Sequence, residues 1–151
     1  DAGRLLGPFN AMLLRPELGD RLQGVGGVLR YDSALTARAR ELTILVVAAA
    51  ADSEFERYAH EAVGRSVGLT DAELDGLRSL DASIFEDSYE RLVADTAIAL
   101  AVRRDLDDVE YERAVNGLGD AVLYELVTLV GYYFLIALHL RVFRIIPPAK
   151  V

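Results

Sequence analysis

The chain has 151 residues, 52% of them hydrophobic, with a mean hydropathy of +0.23, which predicts one domain over 1–151 and excludes a disordered tail. It contains no cysteine and only two histidines, His60 and His139; this removes disulfide scaffolds, thiol redox centres, cysteine nucleophiles, thiolate zinc sites and a three-histidine zinc site. A formal charge of −8, a pI near 4.7 and dispersed basic residues, all arginine except Lys150, argue against a nucleic-acid partner.

Period-two alternation is absent over any useful length, whereas apolar spacing of three and four recurs, so the chain is expected to be all-α. Pro16 can occupy the first turn of a helix with Leu18, Leu22, Val25 and Leu29 on one face, weakened by Gly24, Gly26 and Gly27. Start signals from Ser33 to Thr36 lead into a helix over 37–51 that is apolar nearly all round and must be buried on several sides. A third helix opens at Ser53 and ends near Val67, with Gly68 as a left-handed stop; Thr70 and Glu73 form the capping signature of a short helix towards Leu80. Helices over about 85–104 and 108–117 follow. Asp120 is expected to cap the last and longest, which runs to about Phe143 before Pro147 and Pro148 prevent continuation. Its uncharged apolar run, Leu126 to Leu138, is shorter than the ~20 residues a bilayer span needs, and no charged-then-apolar leader is visible. These features predict no membrane partner and a cytoplasmic location.

The densest polar cluster is Asp52-Ser-Glu-Phe-Glu-Arg-Tyr-Ala-His60, directly after the apolar helix that contains Glu41. Glu56 and His60 lie four apart on one helical face, with Ser53 one turn earlier. If the two helices form an antiparallel hairpin, Glu41 can face His60, giving a carboxylate and an imidazole in a poorly hydrated pocket suited to proton transfer. A competing reading makes Ser53-x-x-Glu56 a capping box, with serine and glutamate satisfying each other's amides and carrying no chemistry. Arg57, Glu54 and Glu61 fit a solvated face, and His139, on an apolar helix, fits a packing role.

The stretch from Ala37 to His60, followed by Val67-Gly-Leu-Thr-Asp-Ala-Glu-Leu and by Glu125-Leu-Val-Thr-Leu-Val-Gly-Tyr-Tyr with Phe143-x-x-x-Pro147, resembles the carboxymuconolactone decarboxylase family. The resemblance implies the alkyl hydroperoxidase D-like helical bundle, of about six or seven helices here, assembled as a homo-oligomer. The peroxidase branch of that fold carries a glutamate, eleven residues, then Cys-x-x-Cys-x-x-x-His. Here the same spacing reads Glu41, then Ser53-x-x-Glu56-x-x-x-His60, so both sulfur positions are replaced and thiol peroxidase chemistry is excluded.

What the resemblance leaves is a cofactor-independent lyase, with no metal, acting on a small carboxylated lactone or keto acid. His60, Glu41 and Glu56 are the catalytic candidates, and Ser53, Arg57 and Arg40 the candidates for substrate binding. The alternative is a non-catalytic small-molecule-binding or assembly protein on the same fold. A helix as apolar as that around Leu126 to Leu138 also predicts a homo-oligomer, whether trimer, hexamer or dimer.

Overall fold

The computed structural model describes residues 7–148. Among these residues there are eight α-helices, one 3-10 turn and no strand: α1 (Phe9–Met12), α2 (Pro16–Tyr31), α3 (Ala37–Ala50), α4 (Glu54–Ser66), α5 (Asp71–Arg78), α6 (Ser88–Arg103), α7 (Asp108–Leu118) and α8 (Asp120–Val142), with the 3-10 turn at Ala82–Ile84. Seven of the helices correspond to expected segments. The eighth, α1, has only four residues and no buried side chain, so it leaves no periodicity to read.

Helix α3 is the axis of the bundle and packs against α4, α5, α6 and α8. Its sequence explains this position, since Leu42, Ile44, Leu45, Val46 and Val47 are all buried and no face is left for solvent after the first turn. Fully burying each such side chain stabilises the fold by ~1.5–3 kcal/mol before chain entropy is counted. Thr43, in the middle of this apolar helix, turns its hydroxyl back to the Ala39 carbonyl at 2.8 Å and so buries no unpaired donor. Leu126, Leu129 and Val130 of α8, Val93, Ala94 and Ala97 of α6, and Phe85 complete the core.

Caps place the helices. The Thr36 hydroxyl accepts from the Ala39 amide at 3.1 Å, fixing the start of α3, and Thr70 and Glu73 form the expected reciprocal box at α5. A second box, Asp107 with Glu110, starts α7. Two expected boundaries are corrected. Helix α6 starts at Ser88 with Asp87 as its cap, because residues 82–84 are taken by the 3-10 turn. Asp120 is the first residue of α8 and does not cap it; Gly119 does so, with φ of 82°, a conformation that disfavours side chains.

Helix α8 is continuous over 23 residues, so by length and composition it could cross a membrane, contrary to the expectation from its uncharged run alone. In the bundle one of its faces is core, with Leu126, Tyr133, Ile136 and Leu140 buried. The opposite face presents Tyr124, Val127, Leu135, Leu138 and Val142 to solvent. Helix α2 approaches α8 closely at Gly26, where a Cβ would run into the Tyr132 hydroxyl. Most of α2 is otherwise exposed, including Leu18, Val28 and Tyr31.

Across the bundle, Arg38 of α3 ties α5 and α6 together, donating to Glu73 at 2.6 Å and to Glu90 at 2.7 Å. Ser33 does not cap a helix. Its hydroxyl donates to the Glu125 carboxylate, which also accepts from the Ala34 amide at 2.8 Å, so the turn before α3 is fastened to α8.

Candidate active site

The α3–α4 hairpin folds back through Asp52, a non-glycine residue at φ of 49°, whose neighbours are held by Ser53 N–H donating to the Ala48 carbonyl at 2.9 Å. Arg141 of α8 reinforces the corner by donating to the carbonyls of Ala51 and Asp52, satisfying the end of α3. This reversal brings Glu41, in the second turn of α3, opposite His60, at the middle of α4.

The imidazole of His60 lies between two carboxylates. Its Nδ1 is 2.7 Å from Glu41 Oε2, and its Nε2 is 3.3 Å from Glu56 Oε2. All three residues are buried, at 7% exposure for His60, 3% for Glu41 and 4% for Glu56. Burial alone disfavours the charged ring, but the hydrogen bonds to Glu41 and Glu56 together outweigh it and hold the His60 pKa above its ordinary value of 6.5. Both ring nitrogens facing carboxylates is the arrangement that an imidazolium, with two N–H donors, satisfies. Arg40 adds a positive charge beside the cluster, with its Nε in ion-pair range of Glu41 Oε1 at 3.6 Å, although that nitrogen makes no hydrogen bond.

Two neighbours escaped the sequence reading. Tyr133 of α8 packs its ring edge-on to His60, at 5.2 Å between centroids and 87° between planes. Arg30, at the end of α2, reaches its hydroxyl at 3.5 Å. Burial pushes the Tyr133 pKa up to about 12, with Arg30 pulling against it, so the phenol stays neutral. The available signal was a tyrosine in the middle of an apolar helix, whose hydroxyl needs a partner when buried.

The remaining candidates separate. Ser53 is the N-cap residue of α4 but makes no side-chain cap bond, so the capping-box reading of Ser53 and Glu56 is corrected: the Glu56 carboxylate is turned to His60. Ser53 is buried and lines a different hollow, with Arg141 and Arg144. Arg57 is half-buried, lines a third hollow beside Tyr58, Glu61 and Arg78, and has no ion pair or hydrogen bond to the His60 cluster. Among the described residues no group of three or more acidic or histidine side chains is placed to hold a metal ion.

Chemically, Glu41 fixes the ring through a short contact of charge-assisted length, whereas the Nε2 contact to Glu56 is longer than such bonds prefer. In the imidazolium form the Nε2 proton is therefore the more loosely held of the two. A search among curated proteins found no match to the chain. A sequence model of the carboxymuconolactone decarboxylase family matches residues 16–95, a span that includes α2 through the first half of α6 and contains Glu41, Ser53, Glu56 and His60. As this span is more than half of the chain, the protein belongs to the carboxymuconolactone decarboxylase family.

Proposed function

We propose that the protein is a cofactor-independent carboxy-lyase acting on a small carboxylated lactone or keto acid, with His60 as proton donor. The observation that carries this reading is the buried Glu41–His60–Glu56 cluster, in which the two carboxylates favour the protonated form of the imidazole. When the substrate's C–CO2 bond breaks, its electron pair passes into the conjugated carbonyl and forms an enolate. The enolate carbon then takes the Nε2 proton, leaving neutral His60 still oriented by Glu41 through Nδ1. Glu56, displaced from its longer contact as substrate enters, returns a proton from solvent to Nε2. Arg40, half-buried beside Glu41, is the better placed of the two candidate arginines to attract a substrate carboxylate, since Arg57 faces another hollow.

The chain is further proposed to work as a homo-oligomer in the cytoplasm. Support for assembly comes from the exposed stripe of Tyr124, Val127, Leu135, Leu138 and Val142, spaced along one side of α8. A second reading, a binding or assembly protein without catalysis, is favoured by the placement of the hollows of about 420 and 430 Å3 beside the α4 start, which none of Glu41, Glu56 or His60 lines.

Release of CO2 from a panel of carboxylated γ-lactones and β-keto acids, run in D2O to detect deuterium at the former carboxyl-bearing carbon, separates the two. Deuterated product that disappears in His60→Gln supports the lyase. Release that is unchanged in this variant, or no release from any member of the panel, favours the binding reading.

A further inference from the structure

The start of α4 carries a set of donors that the proton chemistry does not use. Ser53 is the N-cap of a 13-residue helix and only 8% exposed, yet its hydroxyl makes no cap bond and no other hydrogen bond among the described residues. The first-turn amides, of Glu54, Phe55 and Glu56, have no intrahelical acceptor, and the helix dipole adds partial positive charge at this end. Although the residue as a whole is buried, the Ser53 oxygen stays open to the hollow it lines, where a ligand can pair with it.

Ser53 lines a hollow of about 430 Å3, within the range of small-molecule sites. Arg144 stands in its wall, with no ion-pair or hydrogen-bond partner among the described residues. Its place is fixed by the motif that closes α8, in which Arg144 takes a left-handed φ of 54° and the Ile145 amide donates to the Leu140 carbonyl at 2.8 Å. Arg141 adds a second guanidinium, already committed to the Ala51 and Asp52 carbonyls. The rest of the wall is mainly apolar, and Phe55, Ile145 and Ile146 continue into an adjoining hollow of about 420 Å3 beside α1. Asp52 and Glu54 lie on the rim, both exposed, and their charges select a head group with a single negative charge over a dianion.

We propose that this hollow binds the carboxylate of an apolar monoacid, held by the Ser53 hydroxyl, the first-turn amides of α4 and Arg144, with its hydrocarbon lying along Phe55, Ile145 and Ile146. Neither Glu41, Glu56 nor His60 lines it, so the site stands independently of the lyase reading.

The test is calorimetric titration of the full chain with octanoate, 1-octanol and inorganic phosphate. Octanoate is expected to bind, with 1-octanol at least ~10-fold weaker, the scale of one charge-assisted hydrogen bond, and phosphate weaker than octanoate. Ser53→Ala and Arg144→Gln each weaken octanoate ~10-fold, Arg144→Lys retains most of the affinity, and His60→Gln leaves it unchanged. No octanoate binding, equal binding of 1-octanol, tighter binding of phosphate, or an affinity insensitive to both Ser53→Ala and Arg144→Gln overturns the proposal. The comparison of octanoate with 1-octanol on the unmodified protein decides the matter even if a variant fails to fold.

Discussion

Glu41→Gln tests whether His60 is held charged by its carboxylate neighbours. In the native protein Nδ1 and Glu41 Oε2 are 2.7 Å apart, the length of a charge-assisted hydrogen bond, which contributes ~1.5–3 kcal/mol. Glutamine keeps an oxygen acceptor of the same shape but without the charge, worth ~1 kcal/mol, so the substitution costs about 0.5–2 kcal/mol while the imidazole is protonated. For a chain of 151 residues this lowers Tm by ~1–8 °C. The cost depends on pH with a definite sign. The folded pKa of His60 lies above its ordinary value of 6.5, so the imidazolium's stabilisation is complete below pH 6.5 and is lost as pH rises through the folded value. Above that value Glu41 faces a neutral ring in a buried setting, and the variant should approach or overtake the native protein in stability. Thermal unfolding of both proteins at one fixed concentration, across a pH series from mildly acidic to alkaline, reads the gap directly. A gap that is constant with pH, or that widens as pH rises, refutes the charged-imidazole account.

Other expectations follow from the same geometry. His60→Gln and Glu41→Gln should each lower CO2 release by at least ~100-fold, with the double variant little worse than either, because the pair acts as a unit; near-native turnover in His60→Gln rejects the mechanism. Ser53→Ala should cost no more than a few tenths of a kcal/mol in urea unfolding, whereas Thr70→Ala, which removes a real cap, should cost ~1 kcal/mol; equal costs would restore the capping reading of Ser53. Leu138→Glu, on the exposed side of α8 at 57% exposure, should dissociate the assembly while preserving helical circular dichroism, and light scattering showing the unmodified protein to be a stable monomer at micromolar concentration ends that proposal.

Much of this protein is legible in the order of its residues. Helical periodicity, Thr70 with Glu73, the apolar run after Glu41 and the prolines after Phe143 determine where seven helices lie and which of them must be central, since these features act through neighbours three and four residues apart. The spacing of Glu41, Glu56 and His60 likewise marks one face of a hairpin, and the fold joins them at 2.7 and 3.3 Å.

What the sequence left open was a choice between equally good local partners. Ser53-x-x-Glu56 has the letters of a capping box as truly as Thr70-x-x-Glu73 does, but only the second folds as one. At α5 the glutamate meets its own helix's N-cap, with Arg38 of α3 adding a cross-bundle pair. At α4 the antiparallel crossing with α3 places an imidazole already engaged by Glu41 within reach of Glu56, and a charged partner in a buried setting outcompetes a backbone amide. Tyr133 and Arg30 join the cluster from α8 and α2, 73 residues after His60 and 30 before it, so no local pattern could have assigned them. The helices were determined by short-range periodicity; the partners of Glu56 and Tyr133 were decided by which helices the shared core of α3 draws together.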